Sequence, residues 1–565
     1  MNAALLLEQY ARIADAPDAI ARLRRFVLDL AVRGKLVEQD AGDEPAAELL
    51  KRIAAEKAKL RLKAPANHHD IDEPPFQLRT GWHWTAVGEI CSKTGSGSTP
   101  RGGKEVYKSS GIPFLRSQNV YDDGLRLDDV AFIDAATHQR MGSTKVLARD
   151  LLLNITGGSM GRCCRVPDDF DEANVSQHVA ILRLAVCGTE DFLHLLVRSP
   201  YFQAFIFEEQ TGAGRGGLPK NRMDNIAVAL PPLAEQHRIV AKVDELMALC
   251  DQLEAARVSR EAARDTFTLS TLAKLNTPDR KTFDQEARFA LANLAPLTTR
   301  PDQIKQLRQT ILNLAVRGKL VEQDASEEPA LAYLSRLQDA PLAAKKLQKS
   351  VQVDEDHHRL PDNWAWLPLG ALIRGMDAGW SPQCENHPRT DESQWGVLKT
   401  TAVQALSFDP SQHKLLPSKL SPRHAMQAEV GDVLVTRAGP KNRVGVSCVV
   451  DTPCPRLMIS DKLIRFHGLG DLSAEYLALT LNAGDSLRQL EDAKSGMAVM
   501  QMNISQDKLR AVLVPLPPVA EQWRIVGTVN ELIAMCDQLE ASITMGEQTR
   551  SCLLEAVLHN ALEPA

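Results

Sequence analysis

The chain is poor in aromatic residues, which make up 5% of it, and no apolar run approaches the roughly 20 residues that cross a bilayer. No charged-then-apolar leader pattern stands near Met1, so a membrane or secreted product is not expected and a cytoplasmic one is. None of the ten cysteines forms a C-x-x-C pair or another spacing typical of zinc. They read as small buried hydrophobes in a reducing compartment. An excess of positive charge is also missing: the formal net charge is −6. If nucleic acid is a partner, cations must be concentrated locally or supplied by other subunits.

Catalytic signatures are absent too. No G-x-x-x-x-G-K-[ST] phosphate loop occurs, and the N-P-P-[FY] loop of amino-methyltransferases is missing. Gly95–Gly97 is followed by Ser98-Thr99-Pro100 rather than a helix start, which argues against a dinucleotide cradle. Asp492-Ala493-Lys494 matches the tail of a nuclease motif but lacks an upstream acidic partner. Catalysis, a metal and a bound cofactor are therefore not expected of this chain alone.

What is present is a duplication. LAVRGKLVEQDA occurs at Leu30–Ala41 and, with twelve identities, at Leu314–Ala325, an offset of 284 residues. LPPLAEQHRIVAKVDELMALCDQLEA (Leu230–Ala255) returns as LPPVAEQWRIVGTVNELIAMCDQLEA (Leu516–Ala541). The first element predicts a short helix beginning at Pro17-Asp18 and Pro301-Asp302, with proline at its first position. Its apolar stripe is Ile20, Leu23, Val27 and Leu30, repeated as Ile304, Leu307, Ile311 and Leu314. Gly34 and Gly318 fit left-handed caps at its end. The second element predicts a longer helix, from about Ala234 to about Leu272, roughly 57 Å at 1.5 Å per residue. Ile239, Val243, Leu246, Cys250 and Leu253 form a heptad seam on it, copied by Ile525, Val529, Leu532, Cys536 and Leu539. Such a seam must be buried. Its twin, packed antiparallel, is the economical partner, and a helix folded back on its own module is the alternative.

Between these frames lie two stretches that resemble each other only faintly. Each opens with W-x-W, Trp82/Trp84 and Trp364/Trp366, which suits core packing of a strand more than base stacking. Strands are predicted at Asp150–Ile155, Val179–Leu184, Asp432–Thr436 and Lys462–Phe466, with helices near Asp191–Phe207 and Ser473–Leu490. The preceding linkers carry His68-His69 and His357-His358, without further ligands at a useful spacing for metal. Basic residues gather in glycine-containing loops: Arg101, Lys104, Lys108 and Arg116 in one, Arg215, Lys220 and Arg222 in another. In the second stretch Arg437, Lys441 and Arg443 fall in RAGPKNR, with Lys399 and Lys462 near in sequence. Each cluster alone could be a solvated face. Their recurrence in both modules of an acidic chain favours phosphate or base contact, with Gln118 and Asn119 as possible base readers.

This layout resembles the specificity subunits of type I restriction–modification systems. The resemblance rests on the twin LAVRGKLVEQD segments, the twin LPP-x-AEQ-x-RIV helices and the divergent modules between them. The GSTP loop (Gly97–Pro100, with Thr99), GIPFLR (Gly111–Arg116) and the approaches Asn225–Pro232 and Arg510–Pro518 look like the family's target-recognition domains. The second module has AGWSP (Ala378–Pro382) and no clear GSTP counterpart. The resemblance implies an α+β multidomain protein with an internal two-fold pseudo-repeat, in which long antiparallel coiled-coil helices hold two mixed α/β recognition domains apart. The frame segment would be 1–73, the first domain 74–230 and the central long helix 231–275. A linker with the second short helix would follow at 276–359, the second domain at 360–516 and the last long helix at 517–565. It further implies a non-catalytic reader of a bipartite, asymmetric site in double-stranded DNA. Independently, two modules related by an approximate dyad would meet one DNA face about one helical turn, roughly 34 Å, apart, which a helix of the expected length can span. Partners would be two methyltransferase subunits holding S-adenosylmethionine and two motor–nuclease subunits using ATP and Mg. The rival reading is a coiled-coil protein scaffold without DNA specificity.

Overall fold

A computed structural model describes residues 14–62, 75–208, 217–277, 281–337, 358–496 and 498–562. The chain divides into two units, Met1–Arg260 with Glu547–Ala565, and Glu261–Gly546. Both divisions fall inside the long helices Leu233–Asn276 and Val519–Leu562. Each of these has 44 residues, about 66 Å, longer than periodicity alone gives.

In the first unit the short helix is Ala19–Val32. Proline is not its first residue here: Asp18 precedes it in a left-handed conformation, whereas the second copy does begin at Pro301. The module that follows hangs from a two-stranded clasp. His83–Ala86 pairs antiparallel with Ala227–Leu230, so the first and last strands of the module lie side by side. Ala365–Pro368 and Leu513–Leu516 do the same in the second unit. Trp82, Trp364 and Trp366 are buried, as a core role requires.

Within each clasp the module is layered. Cys91–Ser96, Val179–Leu184, Leu151–Asn154 and Cys163–Arg165 form an antiparallel sheet in that order. Strand alternation then splits its side chains between two cores. Leu151, Leu153 and Leu182 face Phe192, Leu196 and Phe202 of the covering helices, while Leu152, Val179 and Ile181 pack on the second sheet with Leu115 and Val175. The second module repeats the plan: Val433, Val435 and Phe466 lie in one core, Leu434 and Leu463 in the other. Apolar residues on both faces make these strands continuous hydrophobic runs, which is why they were visible in sequence. The covering helices are broken, Glu190–Arg198 and Pro200–Glu208 in one module, Ala474–Leu481 and Gly484–Ala493 in the other. A single helix across each break fails because Pro200 lacks an N–H and Gly484 takes a left-handed turn.

The repeated segments interlock. Gly34 (φ +68°) and Gly318 (φ +65°) end the short helices, with Lys35 N–H bonded to Leu30 O at 2.9 Å and Lys319 N–H to Leu314 O at 3.0 Å. A Cβ at Gly318 would stand 2.7 Å from Pro361 and 3.2 Å from Trp364. Gly318→Ala should therefore lower the stability of the second unit by about 2 kcal/mol, left-handed strain of roughly 1–2 kcal/mol plus the clash. Urea unfolding followed by tryptophan fluorescence measures it, and an unshifted midpoint rejects it. Beyond the cap, Gln323 Nε2 donates to Glu521 Oε1 at 2.6 Å and Trp364 Nε1 to Glu521 Oε2 at 2.9 Å. Burial still pushes the Glu521 carboxyl up. Gln522 Nε2 donates to Pro517 O at 3.1 Å, as Gln236 does to Pro231 O at 2.9 Å. Thus one repeated sequence fastens to the other.

The heptad seams are buried first against their own units. Ile239 and Val243 join the core of the first module with Val27, Leu28 and Ala31 of the short helix, and Leu246 packs beside them. Cys250 is buried, but Leu253, expected in the buried seam, is exposed at the end of it, where it borders a cleft of about 200 Å³ with Leu23 and Leu554. In the second unit Ile525, Val529 and Cys536 pack with Ile304, Ile311 and Trp364, and Leu532 and Leu539 lie against that cluster. The alternative of a helix lying on its own module describes these first turns. Farther along, Leu554 and Leu558 of the second long helix cover Ala19, Phe26 and Leu30. Arg24–Asp251 (2.6 Å) recurs as Arg308–Asp537 (2.7 Å). Half-exposed pairs like these add under about 1 kcal/mol each and fix register more than stability.

Candidate nucleic-acid interface

The loop after the first sheet strand is built by backbone contact. Gly97 lies so close to the neighbouring chain that a Cβ there would be 1.9 Å from Val175 O. Its N–H donates to Val179 O at 3.0 Å, and Ser98 N–H to Val175 O at 3.2 Å. Thr99 Oγ1 then donates to Gln177 Oε1 at 3.3 Å. The second module holds the same device. A Cβ on Gly379 would be 1.9 Å from Ile459 O, and Trp380 N–H donates to Ile459 O at 3.0 Å. Ser381 Oγ donates to Asp461 Oδ1 and accepts from Asp461 N–H at 3.2 Å. AGWSP is thus the structural counterpart of GSTP, although the sequence comparison finds no clear one. Only the glycine and proline are shared, since the backbone contact constrains nothing else.

In the second module this loop borders a cleft of about 400 Å³ lined by Lys399, Lys414 and Lys462 with the hydroxyls of Ser381, Thr400 and Thr401. Lys399 and Lys414 meet through strands Gly396–Leu398 and His413–Leu415, while Lys462 follows Asp461. Cations and hydroxyls converging on one cleft make an anion site suited to backbone phosphate. The other second-module cations have different surroundings. Arg443 is turned inward: its guanidinium donates to Thr400 O at 2.6 Å and Gln404 Oε1 at 2.9 Å, and burial lowers its pKa. It ties down the Thr400–Gln404 segment, of which Thr400 and Thr401 line the cleft. Arg437 is half-buried, with its N–H bonded to Lys462 O at 2.7 Å, and Lys441 is exposed.

In the first module the described cations have separate partners. Lys220 donates to Thr94 Oγ1 at 2.6 Å and pairs with Asp224, beside the strand leading into the Gly97 loop. Lys108 Nζ bonds Glu105 O at 3.0 Å, and Arg101 is exposed. Arg116 donates to Asp129 O at 3.3 Å, and Gln118, exposed, donates to Asp129 Oδ2 at 3.0 Å. Asn119 is buried, its Oδ1 accepting from Arg116 N–H at 3.0 Å and its Nδ2 donating to Arg126 O at 2.9 Å. Those bonds use its amide in a turn, so base contact by Asn119 is replaced by a structural role. Arg222 is half-buried and has partners. Arg215 and the Lys104 side chain lie outside the described residues, as do His68, His69 and His357. His358 Nδ1 lies 2.7 Å from Asp485 Oδ2. Burial alone would raise the Asp485 carboxyl, but its hydrogen bonds from His358 hold it down at about 2. Among the described residues no group of three His, Cys, Asp or Glu is placed to hold a metal, and no helix is long and apolar enough to cross a membrane.

Gln177, Ser381, Lys414 and Asp461 escape a reading of basic clusters. The signal for two of them lies in the duplication itself, because VSQHVAIL (Val175–Leu182) and ISDKLIRF (Ile459–Phe466) stand at the same 284-residue offset as the frame.

Residues 80–261 match the family described as type I restriction modification DNA specificity domain. The type I restriction enzyme EcoEI specificity subunit of Escherichia coli is 37% identical over 570 residues, covering 96% of this chain and 94% of that protein. The EcoAI specificity subunit of Escherichia coli is 27% identical over 577 residues, with the same two coverages, 96% and 94%. A chain solved in work on complex assembly and conformational transition of the type I R-M system shares the fold, with TM-score 0.50 and 20% identity over 86% of this chain and 99% of that one. The chain accordingly belongs to the specificity subunits of type I restriction enzymes.

Proposed function

We propose that this chain is a sequence-specific DNA reader whose two modules each recognise one half of a bipartite, asymmetric site. The observation that carries the reading is one loop geometry with different side chains, Thr99–Gln177 in one module and Ser381–Asp461 in the other. Equal backbones place the readers alike, and unequal side chains make the half-sites differ. The chain acts without chemistry of its own. Two methyltransferase subunits carrying S-adenosylmethionine modify adenine, and two motor–nuclease subunits supply ATP- and Mg-dependent cleavage.

The test is to co-express the chain with its presumed methyltransferase partner and map methylated adenines by long-read sequencing. Two unlike halves with a fixed gap are expected, and a palindrome or no motif overturns the reading. A second expectation concerns salt. Lys399→Gln, Lys414→Gln and Lys462→Gln should each weaken duplex binding across all sequences and flatten the salt slope by about one. A coiled-coil scaffold without DNA specificity would show no salt-dependent duplex affinity.

A further inference from the structure

We propose that Gln177 and Asp461, equivalent residues of the two modules, choose the base at the matching place in their half-sites, Gln177 an adenine and Asp461 a cytosine. This deepens the DNA-reading function and rests on it.

Both side chains are exposed, and both are held by a hydroxyl from the glycine-anchored loop. That anchor is rigid, because Gly97 and Gly379 are seated against the carbonyls of Val175 and Ile459, two residues before Gln177 and Asp461. Rigid support is what a base-reading group needs, since recognition is lost when a donor or acceptor wanders. The chemistry at the two positions differs. Asp461 is a carboxylate between Ser460 and Lys462, which both line the cleft with Lys399 and Lys414. Phosphate would be repelled by it, so Asp461 is misplaced as a backbone contact. A carboxylate accepts hydrogen bonds only, and in the major groove the matching partner is the cytosine N4 amino group. Ser381 occupies Oδ1, and Oδ2 has no hydrogen-bond partner among the described residues. At Gln177 the amide oxygen keeps a second lone pair beyond the Thr99 bond, and Nε2 is a donor. A carbonyl and an amine side by side match adenine N6 and N7.

A purely structural role, with Ser381–Asp461 only latching the loop, makes a different forecast. Asp461→Asn keeps an acceptor for Ser381 and so keeps the latch, but it removes the charge and adds a donor. In the complex with the methyltransferase partner, D461N should shift the preference at one position of one half-site away from cytosine by roughly tenfold or more. The other half should stay unchanged. Gln177→Glu should move the corresponding position of the other half-site from adenine towards cytosine, an independent arm should D461N fail to fold. Position-resolved methylation of a randomised site library reads both, with melting temperatures confirming folded chains. If the folded variants leave the motif intact, or lower methylation equally at every sequence, the two residues are latches and the proposal is overturned. If the unaltered complex yields no bipartite motif, the DNA-reading function falls as well.

Discussion

Gly379→Ala should cost the second module its half-site while the first keeps its own. The added methyl would stand 1.9 Å from Ile459 O and 2.3 Å from Ile459 C, both backbone atoms that cannot swing aside. The loop must then lift, breaking the Trp380 N–H bond and pulling Ser381 away from Asp461. Lost base pairs cost about 1–3 kcal/mol each, so losing this loop should weaken specific binding roughly a hundredfold. Gly527→Ala, where a methyl meets nothing, is the control. Binding to duplexes altered in one half-site tests the idea. Cognate affinity retained by G379A within a factor of two would remove the loop from the reading surface.

Val529→Asp should unfold the second unit, and Val243→Asp the first. Val529 is 1% exposed among Ile304, Ile311, Ile525 and Trp364, and Val243 is 5% exposed in the first core. Removing the buried valine forfeits about 1.5–3 kcal/mol, and an unpaired carboxylate adds several more. Together these approach the whole margin of a domain, about 5–15 kcal/mol. Leu246 and Leu532, on the same seams, are only partly buried and should respond less to the same substitution. Calorimetry of the intact chain should show one of two transitions lost in each variant. Two preserved transitions would mean the ladder is not where the units gain their stability.

Much of the frame was legible because its constraints are written in side chains. A seam at heptad spacing, a glycine at a helix end and tryptophans before a strand each follow from burial or a left-handed turn. The interface was less legible, for two reasons. In the Gly97 and Gly379 loops the shared requirement is a backbone contact, which leaves Ser98 free to become Trp380 and Thr99 to become Ser381. And RAGPKNR reads as one basic run, although its three cations have different surroundings. Arg443 props the cleft wall, Arg437 is half-buried and Lys441 is open to solvent, because the turn aims successive side chains differently. The duplication could have exposed Gln177 and Asp461, had its faint interior been aligned by the frame's offset.

The clasp has a consequence for how new specificities arise. Since the outermost strands of each module are hydrogen-bonded neighbours, about 5 Å apart, any foreign domain whose termini meet at that distance can be grafted there. The helices on either side would register no change. Under the proposed reading, recombination at these junctions would renew one half-site in a single event and leave the repeated frame as it was.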